Sequence, residues 1–265
     1  MKCLKSSSQD LRELFHRNIS VRYIAEHLTS FDEEAKAYDI GAFMSTNHYD
    51  VVGVRRQGQV IGYAEREDMN GGLLADHIRS FSDSHLIDET EPLVEAFILM
   101  RESPRLFVRV LGRVGGIVTR GDLQKAPVRM WLFGLTTLVE MQMLRIIRES
   151  YPDESWKNHL NEKRLESARQ ILSERHGRNE AIDLLDCLQF CDKRDIILKN
   201  SELREAVGLD SAKSGKRFLD HLERLRNSLA HAQDIVGGNW PGIVDLAEKT
   251  ELLLHNCERY CVDRP

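Results

Sequence analysis

The sequence predicts an α+β domain over residues 12–125, followed by an all-α helical bundle over residues 127–265. Three observations predict this architecture: a repeat in the first half, helical spacing of apolar residues in the second, and the overall composition. Hydrophobic residues make up 42% of the chain and charged residues 30%, which is typical of a protein with proper hydrophobic cores. A chain of 265 residues is long enough for two ordinary domains.

The first half contains a repeat with a period of 54 residues. The superposed pairs are Ala42 and Ala96, Phe43 and Phe97, Val54 and Val108, Gly58 and Gly112, Val60 and Val114, Gly62 and Gly116, and Asp68 and Asp122. Each copy predicts an apolar helix, a strand, a Gly-containing turn, a second strand and an acidic residue that opens another helix. The copies span about 12–73 and 74–125, with hairpins at 50–63 and 106–119. Each copy leaves one sheet face open, so we expect the two to stack against each other.

The second half predicts helices only. Glycine becomes scarce after Pro127, and apolar residues recur at steps of three and four, as in Trp131, Leu135 and Leu138. We place helices near 127–150, 155–175, 180–199, 211–230 and 241–261.

The end of the second copy has residues suited to a nucleotide. In the segment 116–122, Gly116 lets a ligand approach the backbone, the hydroxyl of Thr119 can donate to a phosphate, and Asp122 can accept from both ribose hydroxyls. A helix that starts at this junction also favours a phosphate at its N-terminus. The simpler interpretation is a helix N-cap formed by Thr119 or Asp122.

In its repeat and this motif, the first half resembles the paired CBS domains, named after cystathionine β-synthase. The resemblance implies that Asp122 holds the ribose and Thr119 a phosphate of AMP, ADP, ATP or a related adenosine nucleotide, which acts as a regulatory ligand. The first copy departs from the pattern because Glu65 stands at the position of Thr119, and a carboxylate repels phosphate. Asp68 is still able to hold a ribose, but we expect one good site, with the first empty, filled by a neutral ligand or bridged by a metal.

Near the end of an amphipathic helix, Arg226, Asn227 and His231 form an Arg-x4-His motif that resembles that of HEPN domains. That family implies a dimeric helical bundle, which in many members cuts RNA without a metal and leaves 2′,3′-cyclic phosphate and 5′-hydroxyl ends. A histidine suits proton transfer at a ribose 2′-hydroxyl, an arginine neutralises the phosphate, and an amide orients either group. The simpler interpretation is a surface ion pair with a histidine at the helix C-terminus.

The spacing of this motif is not specific, since Arg22 and His27 repeat it in the first domain. Five residues of an unbroken helix also turn through roughly 500°, which leaves the side chains of Arg226 and His231 ~140° apart. We therefore expect either that the helix ends near Leu229 or that a two-fold dimer brings the residues together.

Other features of the chain limit the alternatives. The net charge of −5 argues against a broad electrostatic grip on nucleic acid, so any contact with RNA is focal. The start of the chain lacks the apolar region of a signal peptide, and the apolar stretch 128–144 is too short for a membrane span.

Five cysteines favour a reducing cytoplasm. The pairs Cys187 with Cys191 and Cys257 with Cys261 are typical of buried thiols rather than a metal site.

These observations predict a cytoplasmic homodimer: a nucleotide-regulated, metal-independent endoribonuclease that acts on RNA, with a role as a toxin or defence effector compatible with that activity. The regulatory ligand is an adenosine nucleotide, catalysis needs no cofactor, and no membrane is involved. The alternative is a non-catalytic sensor whose helical domain dimerises and binds RNA or a protein partner. Nucleotidyl transfer ranks third, because the sequence offers no carboxylate cluster to hold the metal that this reaction needs.

Overall fold

The computed structural model describes residues 8–231, 233–235 and 239–262. The chain divides into two compact units: Leu14–Val128, and the described residues of Met1–Glu13 and Arg129–Pro265. The described helices are α1 (Ser8–Arg17), α2 (Ala37–Thr46), α3 (Leu93–Leu99), α4 (Ala126–Ser150), α5 (Glu162–His176), α6 (Phe190–Lys199), α7 (Ser201–Ala206), α8 (Ala212–Ala230) and α9 (Trp240–Val262). The described strands are β1 (Glu26–His27), β2 (Ser30–Asp32), β3 (Val51–Arg56), β4 (Gln59–Glu65), β5 (Leu86–Asp88), β6 (Arg105–Val110) and β7 (Arg113–Thr119).

The repeat is visible in the two sheets of the first unit. One sheet has the order β2-β3-β4, and the other has the order β1-β7-β6-β5. In each, a short strand pairs in parallel with the first strand of a hairpin, and the hairpin has an irregularity in register, at Val54/Arg55 and at Val108/Arg109. Both hairpin turns have two residues of positive φ, 50° and 77° at Gln57-Gly58 and 51° and 79° at Leu111-Gly112. These values suit a two-residue turn that follows the twist of the strands. The predicted 54-residue repeat and both hairpins are confirmed.

The two sheets of the first unit share a hydrophobic core. Val51 of one sheet and Phe107 and Ile117 of the other belong to a single buried cluster with Leu28. The rings of Tyr63 and Phe107 lie 4.7 Å apart between centroids, which is within the range of favourable aromatic pairs. A second cluster packs α2 against the outer face of its own sheet. The expected stacking of the two copies is therefore confirmed, and it buries the sheet face that each copy would otherwise expose.

The second unit is helical, as predicted, but several helix bounds differ. The predicted helix 155–175 consists of a 3₁₀ turn, Ser155–His159, and then α5, because Asn161 Oδ1 accepts from the backbone N–H of Arg164 at 3.0 Å and starts a new helix. The predicted helix 180–199 begins only at α6, after a 3₁₀ turn at Leu185–Cys187. Helices α1 and α7 are absent from the sequence prediction.

Helix α4, with 25 residues, is the longest helix of the described chain. By length and composition alone it is able to cross a membrane, but 56% of its most apolar 18-residue window is buried inside the protein. Trp131, Leu135 and Leu138 are among the buried residues, as the periodicity predicts. The core helix of a globular protein meets the same criterion.

Candidate functional site

A cavity of 830 Å³ in the first unit contains two of the residues that the sequence singles out. It lies where β1, β7 and the 3₁₀ helix Arg120–Gln124 meet two segments from elsewhere in the unit. Its lining consists of Glu26, His27, Leu28, Thr29, His48, Tyr49, Asp50, Val51, Pro104, Arg105, Ile117, Thr119, Arg120, Gly121 and Asp122. Thr119 and Asp122 are therefore brought together at this cavity, whereas Gly116 and Asp68 are not part of its lining.

Asp122 is held in one orientation at the cavity wall. Its side chain is largely buried, and its Oδ2 accepts hydrogen bonds from the backbone N–H of Thr119 at 2.7 Å and from the Thr119 hydroxyl at 2.8 Å. Its Oδ1 lies 2.9 Å from Nζ of Lys125. Burial disfavours the charge of Lys125, but hydrogen bonds to Glu26 and Asp122 outweigh burial and raise the pKa of Lys125. Because a carboxylate has about four acceptor positions, Asp122 keeps capacity for a further donor.

The hydroxyl of Thr119 is already used as a donor. Its proton points to Asp122, so the role that the resemblance implies, donation to a phosphate, requires the hydroxyl to turn away from that carboxylate. In this arrangement Thr119 positions Asp122. The helix that follows is a 3₁₀ turn of five residues, so it supplies a weaker dipole than the longer helix that the sequence predicts.

Arg120 provides an uncommitted positive charge at the cavity. Its Nε is buried and, among the residues that the structure describes, has no hydrogen-bond partner. Arg105 also lines the cavity, but its guanidinium is occupied by Glu65. Arg109 of the neighbouring strand β6 pairs with Asp88 at 2.8 Å. Arg120 is therefore the arginine of this lining that is available to an anion.

Gly116 serves the packing of the sheet. A Cβ at this position would lie 3.2 Å from the carbonyl oxygen of Glu26 and 3.1 Å from Cβ of Val108. His27 of β1 pairs directly with Gly116, so the glycine permits the close approach of β1 to β7. The sequence predicts that Gly116 lets a ligand approach the backbone. In the structure, strand β1 makes this close approach instead.

The equivalent site in the first copy is closed by ion pairs. Asp68 Oδ2 accepts from Nε of Arg79 at 2.9 Å, and this hydrogen bond is the main cause that raises the pKa of Arg79. Both carboxylate oxygens of Glu65 lie 2.8 Å from Nη1 of Arg105. Glu65 also lies 3.7 Å from Arg79. The two carboxylates that replace the Thr119 and Asp122 pair are neutralised by the protein's own arginines.

Several cavity residues belong to no motif that predicts a binding site in the sequence. His27, Thr29, His48, Tyr49 and Asp50 reach the lining from positions more than fifty residues before Thr119. His27 is the histidine that appears in the sequence analysis only as a chance match to the Arg-x4-His spacing. Sheet pairing of β1 with β7 brings it to the cavity, and no local spacing signals that pairing.

In the helical unit, Arg226 and His231 are not brought together within one chain. Nη1 of Arg226 lies 2.9 Å from Glu140, and its guanidinium carbon lies 5.8 Å from the ring centroid of Phe190. Nη2 also donates to Oδ1 of Asn227 at 3.2 Å. Helix α8 continues to Ala230, so the two side chains keep their divergent helical directions.

His231 lies exposed at the C-terminal end of α8. Its backbone N–H donates to the carbonyl of Asn227 at 3.1 Å, and its side chain has no hydrogen bond to another described residue. The last carbonyls of the helix are satisfied by Arg129, which donates to the carbonyls of Ser228 and Leu229 at 3.1 Å each. His231 is the C-cap residue of α8 and Arg226 pairs with Glu140, so the arrangement also fits the simpler interpretation, a surface ion pair with a histidine at the helix C-terminus.

The paired cysteines form no metal site in the part of the chain that the structure describes. Cys187 and Cys257 are buried, Cys191 is half-buried, and all three are free thiols. The side chain of Cys261 lies outside the described residues. Burial raises the pKa of both Cys187 and Cys191, which is the behaviour of thiols in apolar surroundings.

Comparison with solved structures finds similarity to CBS domains in the N-terminal part of the chain. The CBS domain of the bacterial CNNM/CorC family Mg²⁺ transporter is 19% identical over 43% of this chain and 78% of that chain, with a TM-score of 0.36. CBSX2 in complex with AMP is 16% identical over 42% of this chain and 97% of that chain, with a TM-score of 0.37. A hemolysin-like protein containing a CBS domain, from Oenococcus oeni PSU, is 14% identical over 44% of this chain and 96% of that chain, with a TM-score of 0.34. No family model and no curated protein matches the chain.

Proposed function

We propose that the first unit is a CBS-type sensor that binds one adenosine nucleotide in the 830 Å³ cavity. The observation that carries this proposal is the pairing, in one cavity, of an oriented carboxylate at Asp122 with an uncommitted guanidinium at Arg120. A cavity of this volume falls within the usual range of about 300–1,000 Å³ for small-molecule sites.

The two side chains suit the two polar ends of a nucleotide. Asp122 accepts from a ribose hydroxyl, because Thr119 and Lys125 already hold its oxygens in place. Arg120 lines the cavity and donates to a phosphate through its guanidinium, which forms no ion pair with a described residue. The closed arrangement at Asp68 favours one nucleotide per chain over two.

Calorimetric titration with AMP, ADP and ATP tests the sensor. We expect a stoichiometry of one nucleotide per chain, with binding lost in Asp122→Asn because the amide cannot accept on both of its atoms. Asp68→Asn is the matched control, since it makes the same chemical change at the equivalent position of the first copy, and we expect its affinity to stay within about twofold of the wild type. Equal affinity of Asp122→Asn and wild type, or loss in Asp68→Asn alone, would contradict the assignment.

We further propose that the helical unit is a HEPN-type, metal-independent endoribonuclease that works as a homodimer and is regulated by the nucleotide. In this proposal His231 transfers the proton and Arg226, oriented by Asn227, neutralises the phosphate. The exposed, uncommitted side chain of His231 supports this role. Because Arg226 and His231 diverge on α8, the site would combine Arg226 of one copy with His231 of a second.

Association of two copies has support on α4. Met130, Phe133 and Met141 are exposed by 61%, 43% and 45%, which are large fractions for apolar side chains on one helix. We place the protein in the cytoplasm, where free thiols such as that of Cys187 persist.

Incubation of the protein with mixed-sequence RNA in EDTA, with and without ATP and AMP, tests the nuclease. We expect cleavage with 2′,3′-cyclic phosphate ends, an effect of nucleotide on its rate, and loss of cleavage in both Arg226→Ala and His231→Ala. His255→Ala is the control, as it removes another exposed histidine of the same unit. A mixture of the two inactive variants should regain part of the activity if each site takes one residue from each copy. Nucleotide binding without any cleavage would support the alternative, a sensor whose helical unit only binds a partner.

A further inference from the structure

Helix α8 carries its acidic and basic side chains on different sides. Asp220 and Glu223 face the buried guanidinium of Arg194 on α6, with Glu223 at 3.5 Å and Asp220 closer. Asp220 also pairs with Lys216 at 2.6 Å. The carboxylates of this helix are therefore used within the helical unit.

On another side of α8, the basic residues have no such partners. Arg217, His221 and Arg224 follow one another at steps of four and three, so they lie on one face, and all are exposed. They line a groove of 610 Å³ between α8 and α9, together with Lys249 from α9. Within the described part of the chain, no carboxylate forms an ion pair with any of the four. Asp245 is the one carboxylate in the groove lining, against three permanent positive charges.

The arginines of helix α5 differ from those of the groove, because they are paired. Arg164, Arg169 and Arg175 of α5 each contact at least one carboxylate at 2.9 Å or less. Unpaired cations that converge on one concave surface create a positive potential, although the net charge of the chain is −5. A protein with a net negative charge can contact nucleic acid only through a local positive surface. The groove is such a surface.

The groove also contains an aromatic ring and a hydroxyl group. Phe218 is half-buried between the basic residues and presents a ring to the groove, and Ser228 contributes a hydroxyl. Aromatic rings beside cations are typical of sites that stack a base and contact its phosphate. An acidic peptide would pair with the cations, but its carboxylate side chains would provide no flat group to stack on the ring of Phe218.

We propose that the groove between α8 and α9 binds the backbone of single-stranded RNA and leads the strand to His231. Arg217 and Arg224 are seven residues apart, or about 10 Å along the helix axis, so they can contact different phosphates of one strand. From Arg224 the same face continues through Ser228 to His231, again at steps of four and three. The inference rests on the proposed action of the helical unit on RNA, and it assigns the substrate path that this action needs.

Fluorescence anisotropy with a labelled single-stranded RNA of twelve nucleotides in EDTA tests the groove. The measurement is made in a His231→Ala background, so that cleavage does not interfere. The variant is Arg217→Gln/Arg224→Gln, and the control is Arg169→Gln/Arg178→Gln, which removes two exposed arginines of the same unit and changes the net charge equally. We expect the groove variant to bind roughly tenfold more weakly and the slope of log affinity against log salt to fall by about 1.4, from about 0.7 for each lost phosphate contact. The control should retain wild-type values.

Equal loss in both double variants, or no loss in the groove variant, overturns the proposal. Competition by polyglutamate as effective as that by unlabelled RNA also overturns it, because the groove would then bind any polyanion. The proposed nuclease fails separately: wild-type protein that binds RNA through the groove but never cuts it contradicts the nuclease alone. Cleavage that is unaffected by the groove substitutions contradicts the groove alone.

Discussion

The two copies of the repeat place different chemistry at the same position of the same fold. In the second copy, Thr119 and Lys125 hold the carboxylate of Asp122 beside an open cavity. In the first copy, Glu65 and Asp68 occupy the equivalent positions, and arginines neutralise both. The backbone of the two hairpins is alike down to the positive φ values of their turns. The difference between an open cavity and a structural ion-pair cluster is therefore made by side chains alone.

The comparison also links the two sites. Arg105 belongs to the second copy and lines its cavity, yet its partner is Glu65 of the first copy. The carboxylate that makes the first site unsuitable for phosphate thus holds an arginine at the wall of the second. The glutamate at the position equivalent to Thr119 therefore affects both copies, since it removes the hydroxyl from the first and fixes Arg105 at the cavity wall of the second.

The largest effect is expected from the pair of Glu65 and Arg105. Arg105→Gln leaves Glu65, whose side chain is 14% exposed, with only the more distant Arg79, so the free energy of unfolding should fall by about 2 kcal/mol. Asp68→Asn should cause a much smaller loss, because Arg79 is 44% exposed and water screens that pair. Urea unfolding of the full chain without nucleotide, followed by far-UV circular dichroism, measures both.

The double variant Glu65→Gln/Arg105→Gln distinguishes a lost ion pair from a general packing defect. If the pair is the cause, the double variant should be no less stable than Arg105→Gln alone, since no carboxylate is left without its partner. Additive losses from the two single substitutions would show that the residues do not act as a pair.

A smaller effect is expected from the hydroxyl of Thr119. Thr119→Val keeps the backbone hydrogen bond to Asp122 but removes the one at 2.8 Å from the hydroxyl, which lets the carboxylate rotate. We expect nucleotide affinity to fall roughly tenfold and stability by about 1 kcal/mol. Thr46→Val is the control, since that hydroxyl donates only to the carbonyl of Ala42 within α2. Unchanged affinity in a calorimetric titration of Thr119→Val would show that the hydroxyl does not position Asp122.

The repeat made much of the first unit predictable from sequence. Equivalent residues such as Gly58 and Gly112 mark both hairpin turns, because only a few residues tolerate positive φ. Strand β3 is buried continuously from Val51 to Val54, so its apolar residues form an unbroken run, which is typical of a strand covered on both faces. The sequence predicts that Thr119 and Asp122 lie close together because they are three positions apart. Side chains at so short a separation stay near each other in the folded protein.

Contacts between distant segments were not predictable in the same way. Strand β1 has two residues, too few for any periodicity, yet its pairing with β7 brings His27 to the cavity. Arg79 lies outside the repeated positions, so nothing in the 54-residue comparison signals its ion pair with Asp68. The divergence of Arg226 and His231, in contrast, followed from helical geometry, and the extent of α8 to Ala230 agrees with it.

The smallest effect concerns one ion pair in each copy, at neighbouring rather than equivalent positions of the repeat. A hydrogen bond from Arg109 is the main cause that lowers the pKa of Asp88, and one from Arg56 likewise lowers the pKa of Glu33, in each case against the opposing effect of burial. A carboxyl group with a lowered pKa stabilises the folded state above its unfolded pKa of about 4, and this stabilisation is lost as the pH falls through the folded value.

Asp88→Asn and Glu33→Gln should therefore each lower Tm slightly at pH 7, and the difference from wild type should shrink as the pH falls below about 4. Thermal unfolding of both variants between pH 7 and pH 3 measures this. The two copies are expected to respond alike, because their pairs have the same form and similar distances, 2.8 Å for Asp88 and 2.6 Å for Glu33. A shift of Tm that does not change with pH would assign the effect to packing, and a response in one copy alone would mean that the copies differ in more than their sites.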